Sequence, residues 1–205
     1  MRRQKALSVK LGIAARSFTL VVASWSLVVA SWSAVEAQGL PSVGVSYSNP
    51  TLGFRYRPPS EMQDLTENAK ADIRKRAEAT HSTDTLGMLL AMWSGANQQA
   101  PDWRALTIET YPRKAFPDLN DTAAKAKLSA RVMGFSEAAA LPRPAVLSGQ
   151  SFTVSVFEKE EGGMKKVAMV WTTIRRGTLV AFAFQANSPE QLKAVTESMK
   201  SLQFF

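Results

Sequence analysis

The sequence predicts an α+β domain, and three patterns in the chain of 205 residues lead to this fold class. Short runs in which apolar and polar residues alternate are typical of strands that bury one face. Stretches with apolar residues three and four positions apart indicate amphipathic helices. A glycine pair between two alternating runs in the last third of the chain indicates a hairpin. Together these patterns predict a sheet with helices packed against it.

The N-terminal region contains the seven residues LVVASWS written twice in succession, from Leu20 to Ser33. No charged residue occurs between Phe18 and Val35. A coiled coil is therefore excluded, because it needs several heptads with charges beside the apolar positions. The hydrophobic part of a secretion signal tolerates such a copy, since it is recognised by apolarity and length rather than by side-chain packing.

The residues around this repeat complete a secretion signal. Five basic residues precede it: Arg2, Arg3, Lys5, Lys10 and Arg16. The tetrapeptide Ala34-Val35-Glu36-Ala37 follows it and matches a cleavage site. The sequence therefore predicts a signal peptide over residues 1–37, cleaved between Ala37 and Gln38. The alternative is an uncleaved membrane anchor over residues 17–35, a length close to one membrane span, although four serines in the repeat weigh against it.

Removal of this leader lowers the positive charge of the chain. The chain carries 25 Lys and Arg and 17 Asp and Glu; five and one of them lie in the leader, which leaves 20 and 16, a net charge of +4. The length fits a single α+β domain over residues 50–205, preceded by a tether over residues 38–49. Because cysteine is absent, the core alone must hold an exported product together. We expect a bacterial protein that is periplasmic or extracellular after cleavage.

The first half of the domain predicts strands around one helix. The segment 52–57 alternates Phe54 and Tyr56 with Arg55 and Arg57, which indicates a strand with one buried face and one wet face. The segment 66–79 has apolar residues at helical spacing among charged ones and predicts a helix. Further strands are predicted at residues 43–47, 86–93 and 103–111.

The middle of the chain predicts a second helix and a loop. Asp121 is a suitable N-cap for the segment that follows. The apolar stripe of that segment is Ala124, Leu128, Val132 and Phe135. Pro142 and Pro144 then predict a loop.

The last third of the chain has the clearest patterns. Alternating segments at 152–156 and 167–174 flank Gly162-Gly163 and predict a hairpin. The next strand, 178–186, has phenylalanines on one face and alanines on the other, so we expect it at the centre of the sheet. Ser188-Pro189-Glu190-Gln191 predicts a capped helix start. We expect that helix to lie on the alanine face, where small side chains permit a close approach.

Several of these segments resemble the PsbP-like family. They are Asn49-Pro-Thr-Leu-Gly-Phe-Arg-Tyr-Arg-Pro58, the hairpin, the Ala-Phe-Ala-Phe strand and the closing Met199-Lys-Ser-Leu-Gln-Phe204. The resemblance implies a small α/β/α sandwich with an antiparallel sheet and helices packed on its faces. Family members include extrinsic subunits of photosystem II, a nuclear-import cofactor and bacterial secreted proteins. They share protein binding rather than a reaction, so the resemblance supplies no catalytic residue.

Residue types that most catalysis and metal binding need are scarce. His81 is the single histidine and cysteine is absent, which excludes thiolate and multi-histidine zinc sites. No glycine-rich phosphate-binding loop occurs, so no nucleotide cofactor is expected. Residues 118–121 lack the alternating carboxylates and the glycine of a calcium loop. The sequence therefore predicts no catalytic, cofactor or metal residues.

An enzymatic alternative remains, in which the fold brings carboxylates together. The candidate residues are Glu109, Asp118, Glu137 and Glu158. Two of them in one cleft would suit a secreted hydrolase or a carrier of small ligands. A shallow, charged sheet face would instead favour a protein that only binds.

Arg55 and Arg57 are the candidate binding residues, because they hold the water-facing positions of their strand. Arg175 and Arg176 could join them in a basic patch. An exported protein of low net charge has little use for nucleic acid, so no nucleic-acid partner is expected. The sequence predicts an exported, non-catalytic protein that binds another protein or an anionic envelope component. It would contact the membrane only through an uncleaved N-terminal segment.

Overall fold

The computed structural model describes residues 46–80, 87–111, 142–161 and 163–205. In chain order the elements are β1 (Tyr47–Asn49), β2 (Phe54–Tyr56), β3 (Gln63–Asp64), α1 (Thr66–Thr80), β4 (Gly87–Ser94), β5 (Arg104–Tyr111), β6 (Arg143–Leu147), β7 (Gln150–Glu161), β8 (Met164–Arg175), β9 (Thr178–Ala186), α2 (Pro189–Thr196), a 3₁₀ helix (Glu197–Ser201) and β10 (Gln203–Phe204). The predicted helix after Asp121, the signal peptide and His81 lie outside the described residues.

The strands form two antiparallel sheets, so the predicted α+β class is confirmed. A seven-stranded sheet has the order β3-β4-β5-β9-β8-β7-β6, and a three-stranded sheet has the order β1-β2-β10. β9 pairs with β5 and β8 along its whole length, as expected for a central strand. β1 belongs to the small sheet, so the end of the predicted tether takes part in the fold.

The predicted start of α2 is confirmed, but the surface under this helix differs from the prediction. Ser188 caps the helix by accepting a hydrogen bond from the backbone N–H of Gln191 at 3.2 Å. Leu192 belongs to the same core cluster as Phe182, which places α2 on the phenylalanine face of β9. The prediction that this helix lies on the alanine face was wrong. Phenylalanines remove more apolar area from water, and the alanine face carries polar groups of β5.

α1 lies on the opposite face of the large sheet. Leu65 and Ala69 pack in a second cluster with Ala91 and Trp93 of β4. The residues that alternate with these two on β4 belong to the first cluster, which also holds α2. Since strand side chains alternate between faces, the sheet has a helix on each face. This arrangement is the three-layer sandwich that the resemblance implied.

β6 is an edge strand in a segment for which the sequence predicted a loop. Leu147 and Gln150 close a two-residue turn in which Ser148 and Gly149 have φ of 49° and 74°. Counted from this closing pair, the residue pairs of β6 and β7 alternate between hydrogen-bonded and non-hydrogen-bonded positions. Pro144 therefore lies at a position where an N–H would point away from β7, and an edge strand tolerates proline there.

No helix in the four described ranges is long and apolar enough to cross a membrane.

Candidate functional site

The small sheet presents Arg55 and Arg57 to solvent, as the alternation predicted. Phe54 and Tyr56 point inward and are fully buried, whereas both arginines are exposed. The Tyr56 hydroxyl lies 2.5 Å from Ser198 Oγ, and burial raises the pKa of this tyrosine well above its ordinary value of 10.0. Arg55 belongs to β2 and Arg57 directly follows it, so the buried side chains of Phe54 and Tyr56 fix the backbone that carries the two arginines.

Arg175, at the end of β8, anchors the segment that leads into β2. Its guanidinium donates to the carbonyl oxygens of Leu52 at 3.2 Å and Gly53 at 3.3 Å, and to Gln150 Oε1 at 2.9 Å. Its Cζ lies 4.6 Å from the centroid of the Phe204 ring. This arginine therefore joins the small sheet to the β8–β9 hairpin, and its hydrogen bonds are directed at the protein rather than at solvent.

Arg176 lies in the turn between β8 and β9 and is exposed. It donates to the carbonyl oxygens of Pro50 at 2.9 Å and Thr51 at 3.1 Å. Its φ of 48° is unusual for a residue with a side chain, and Gly177 follows with φ of 78°, as in a type I′ turn. Both arginines donate to backbone carbonyl groups, but Arg176 is exposed whereas Arg175 is half-buried, so the predicted basic patch includes Arg176 but not Arg175.

The outer surface of the small sheet combines these arginines with polar and aromatic side chains. Arg55 lies opposite Ser48 of β1 and opposite Gln203 of β10. Phe205 follows β10, and 60% of its surface is exposed. We refer to this surface as the cationic face and define it by Ser48, Arg55, Arg57, Arg176, Gln203 and Phe205.

The cationic face carries positive charge that the described carboxylates do not neutralise. The ion pairs resolved among the described residues lie elsewhere: Lys70–Glu67, Arg104–Glu61, Lys165–Glu158 and Lys200–Glu197. Neither Arg55 nor Arg57 pairs with a carboxylate in the described ranges. Exposed guanidinium groups of this kind are available to an external anion.

Of the two candidate carboxylates that the structure describes, Glu109 of β5 is completely buried. It accepts hydrogen bonds from the Thr107 hydroxyl at 2.6 Å and the Tyr111 hydroxyl at 2.5 Å. Burial raises the pKa of Glu109 from 4.5 to about 7, while the two hydrogen bonds lower it. The strand β5 was predicted correctly, but the face of this strand that carries Thr107 and Glu109 is also covered. A water-facing glutamate would look the same in the sequence.

The carboxylates expected to converge are not brought together in the described part of the chain. Glu158 is exposed on β7, on the opposite face of the sheet from Glu109, and it pairs with Lys165 at 2.7 Å. Asp118 and Glu137 lie outside the described residues, as does the predicted cleavage site. Among the described residues, no group of three or more His, Asp or Glu side chains could hold a metal ion.

A cleft of about 510 Å³ opens between the small sheet and the first turn of α1, and no pattern in the sequence predicts it. Tyr47, Leu89 and Leu90 supply apolar lining. Lys70 pairs with Glu67 at 2.8 Å across its rim. Asp64 also lines the cleft and accepts hydrogen bonds from the backbone N–H and the hydroxyl of Thr66, so the lining holds two carboxylates and one ammonium group, unlike the cationic face.

Phe205 and Gln203 were not predicted as site residues, because the two-residue strand β10 is too short to be recognised from the sequence. A weak signal was present. Leu202, Gln203 and Phe204 alternate between apolar and polar side chains, and Phe204 points inward as a strand residue would, with its ring 6.5 Å from that of Phe54.

No protein-family model and no curated protein match the sequence. Among solved structures, the cyanobacterial PsbP (CyanoP) of Synechocystis is 13% identical, with 83% of this chain and 97% of that chain covered and a TM-score of 0.47. LpqN of Mycobacterium tuberculosis, described as involved in cell envelope biogenesis, is 9% identical, with 78% and 88% covered and a TM-score of 0.40. A Bacteroides thetaiotaomicron protein is 10% identical, with a TM-score of 0.42; 80% of this chain aligns with it and spans 49% of its length.

Proposed function

We propose that the chain is an exported, non-catalytic protein that binds an acidic protein or another anionic envelope component with its cationic face. The observation that carries the proposal is the pair of exposed guanidinium groups of Arg55 and Arg57. They stand on a strand whose inner side chains are fully buried, and no described carboxylate pairs with them. A rigid pair of unpaired cations suits recognition of an anion.

The two arginines contribute little that the fold itself requires. Exposed charges affect the free energy of unfolding by less than about 1 kcal/mol, so folding alone does not account for two adjacent exposed arginines. The backbone of Arg57, in contrast, is used structurally. Its N–H donates to Ser201 Oγ at 2.9 Å, and Ser201 Oγ donates to its carbonyl oxygen at 2.9 Å. The side chains are thus left for an external partner.

The carboxylate positions give the enzymatic alternative less support. Glu109 is fully buried and bonded to two hydroxyl groups, whereas Glu158 is exposed on the other face. An acid and base pair must approach one substrate from one cleft, which these two residues cannot do. Asp118, Glu137 and the imidazole of His81 lie outside the described residues, and we expect His81→Ala to leave binding unchanged.

The proposal is tested with the double substitution Arg55→Glu/Arg57→Glu, which reverses the local charge and leaves the buried side chains in place. Partners are captured from an envelope extract with the wild-type protein and titrated against both proteins at low and high salt. We expect the double variant to weaken binding about tenfold or more at low salt and less at high salt, because salt screens exposed charges.

A matched control makes the same change of charge elsewhere on the surface. Arg143 on β6 and Lys193 on α2 are both exposed and belong to no strand of the small sheet, so Arg143→Glu/Lys193→Glu makes the same change of net charge outside the cationic face. Equal losses in the two double variants, or no loss in either, would contradict a role for the cationic face. A turnover that His81→Ala abolished would contradict the non-catalytic assignment.

A further inference from the structure

We propose that the partner of the cationic face is a protein segment with carboxylates beside an apolar side chain, and that Phe205 is the anchor for that apolar side chain. This inference rests on the proposed function and names the class of partner. It also assigns a role to Phe205. This residue determines which anionic segment binds, whereas the arginines provide the electrostatic attraction.

The backbone fixes Phe205 beside Arg55. The Phe205 N–H donates to the Gly53 carbonyl oxygen at 3.0 Å, which continues the pairing of β10 with β2 by one residue. Gln203 lies opposite Arg55, so Phe205 takes the diagonal position on the same side of the sheet. Diagonal neighbours in an antiparallel pair lie about 7–8 Å apart. A single bound segment can therefore contact both Arg55 and Phe205.

Arg176 approaches Gly53, the residue that pairs with Phe205. A Cβ atom added to Gly53 would lie 2.8 Å from an Arg176 guanidinium nitrogen and 2.5 Å from the Phe205 carbonyl oxygen. The guanidinium therefore covers the glycine that pairs with Phe205. Phe205 is thus the diagonal neighbour of Arg55, and the glycine that it pairs with is in turn covered by the guanidinium of Arg176.

The exposure of Phe205 is uncommon in this protein. Among the described residues, the large hydrophobic side chains that are mostly exposed are Phe205, at 60%, and Val146, at 74%. Val146 belongs to the edge strand β6, in the other sheet. Phe205 is held in place, since its neighbour Phe204 packs against Phe152 with ring centroids 6.1 Å apart. An aromatic side chain on a fixed backbone loses little entropy when a partner covers it.

The chemistry of the face favours a protein segment over a membrane. Its cations are three arginines, whose planar forks match carboxylates in pairs. Anionic membranes are bound by clusters of about four to eight Lys or Arg, more than this face provides. Arg55 and Arg57 are two residues apart on a strand, so their side chains leave the backbone about 7 Å apart. An extended segment with carboxylates at alternate positions has the same spacing.

The experiment uses two short synthetic peptides of equal charge. One has two glutamates at alternate positions and a leucine two residues further on, so that all three side chains lie on one face of an extended segment, and the other has glycine in place of the leucine. Binding to the full-length protein is measured by fluorescence anisotropy. We expect wild type to bind the leucine peptide about tenfold more tightly than the glycine peptide, as one buried aliphatic side chain provides. Phe205→Ser should abolish that preference, and Phe205→Leu should retain most of it.

The controls separate this inference from the proposed function. Val146→Ser removes the other exposed hydrophobic side chain and should change neither affinity. Arg55→Glu/Arg57→Glu should weaken both peptides equally. Thermal melting of each variant shows that it is folded.

Three outcomes would overturn the inference. If Phe205→Ser keeps the preference for leucine while the double arginine variant weakens both peptides, the apolar anchor is wrong and the proposed function stands. If the double variant binds both peptides like wild type, the proposed function fails too. If phosphatidylglycerol vesicles bind more tightly than the leucine peptide and lose binding on Phe205→Ser, the partner is a membrane rather than a protein.

Discussion

Gly53 lies where the small sheet leaves no room for a side chain. Its φ is 69°, and an added Cβ would lie 2.5 Å from the Phe205 carbonyl oxygen, a backbone atom that cannot move aside independently. We predict that Gly53→Ala lowers the free energy of unfolding by about 2–4 kcal/mol, through both the backbone conformation and the overlap. Denaturant unfolding measures this loss.

Gly149 provides the matched control, because its φ is 74° and no described atom lies within 4 Å of the added Cβ. Gly149→Ala should therefore cost only the conformational part, about 1 kcal/mol. Equal losses at the two glycines would show that the contact with Phe205 is unimportant.

Glu109 should make the stability of the protein depend on pH. Its folded pKa of about 7 exceeds the unfolded value of 4.5, so the folded state holds the proton more tightly. The stabilisation is complete below the unfolded pKa and is lost as pH rises through the folded pKa. We predict that the free energy of unfolding of wild type falls by on the order of 3 kcal/mol between about pH 5 and about pH 8.

The substitution Glu109→Gln removes the titration and should remove most of this fall, as measured by denaturant unfolding across the same pH window. Glu158→Gln is the control, since Glu158 is exposed and paired with Lys165. A fall in Glu109→Gln as steep as in wild type would assign the pH dependence to another group.

At the scale of elements, the β8–β9 hairpin is joined to the small sheet by Arg175. Arg175→Ala would remove three hydrogen bonds and the contact with Phe204. The carbonyl groups of Leu52 and Gly53 would each lose one hydrogen-bond donor. We predict that Arg175→Ala lowers the free energy of unfolding by about 1–3 kcal/mol. Amide hydrogen exchange should accelerate in β2 and β10 more than in β9, because β9 is held on both sides.

Arg175→Lys and Arg143→Ala are the comparisons for this substitution. Lysine keeps the charge but lacks the planar fork, so an intermediate loss is expected. Arg143 is exposed on β6 and its removal should cost less than about 0.5 kcal/mol. Uniform acceleration of exchange throughout the large sheet would contradict a local joint between the hairpin and the small sheet.

At the scale of the whole molecule, the two faces of the large sheet carry separate hydrophobic clusters. One cluster holds Phe182 with α2 and the small sheet, and the other holds Trp103 with α1. The small sheet packs on the first cluster with its inner side chains. The cationic face is the other side of the small sheet, which points away from that cluster. Binding there need not disturb either cluster.

Residues 1–37 have the sequence pattern of a secretion signal. We predict that export removes residues 1–37 and leaves Gln38 at the N-terminus, because basic, apolar and small residues occur in the order that the signal peptidase requires. Intact-mass measurement of the secreted protein distinguishes the cleaved from the uncleaved chain. A full-length species in the membrane fraction that resists carbonate extraction would instead identify the repeat as an anchor.

The sequence by itself determined the features that depend on neighbours along the chain. Phe54 and Tyr56 alternate with arginines, and the structure buries the first pair and exposes the second. Ser188 caps α2 because the acceptor and the N–H it satisfies lie three residues apart. The strand Thr178–Ala186 was located with its bounds because its apolar pattern and the flanking turns are local.

Only the tertiary structure decided the features that depend on distant partners. The two-residue strands β3 and β10 have no periodicity of their own and exist through pairing with β4 and β2. Whether Glu109 faces water or a covered layer depends on what lies above the sheet, which one strand cannot encode. Phe205 and Arg176 adjoin because β10, β2 and the β8–β9 turn meet at Gly53, and residues so far apart in sequence leave no shared pattern.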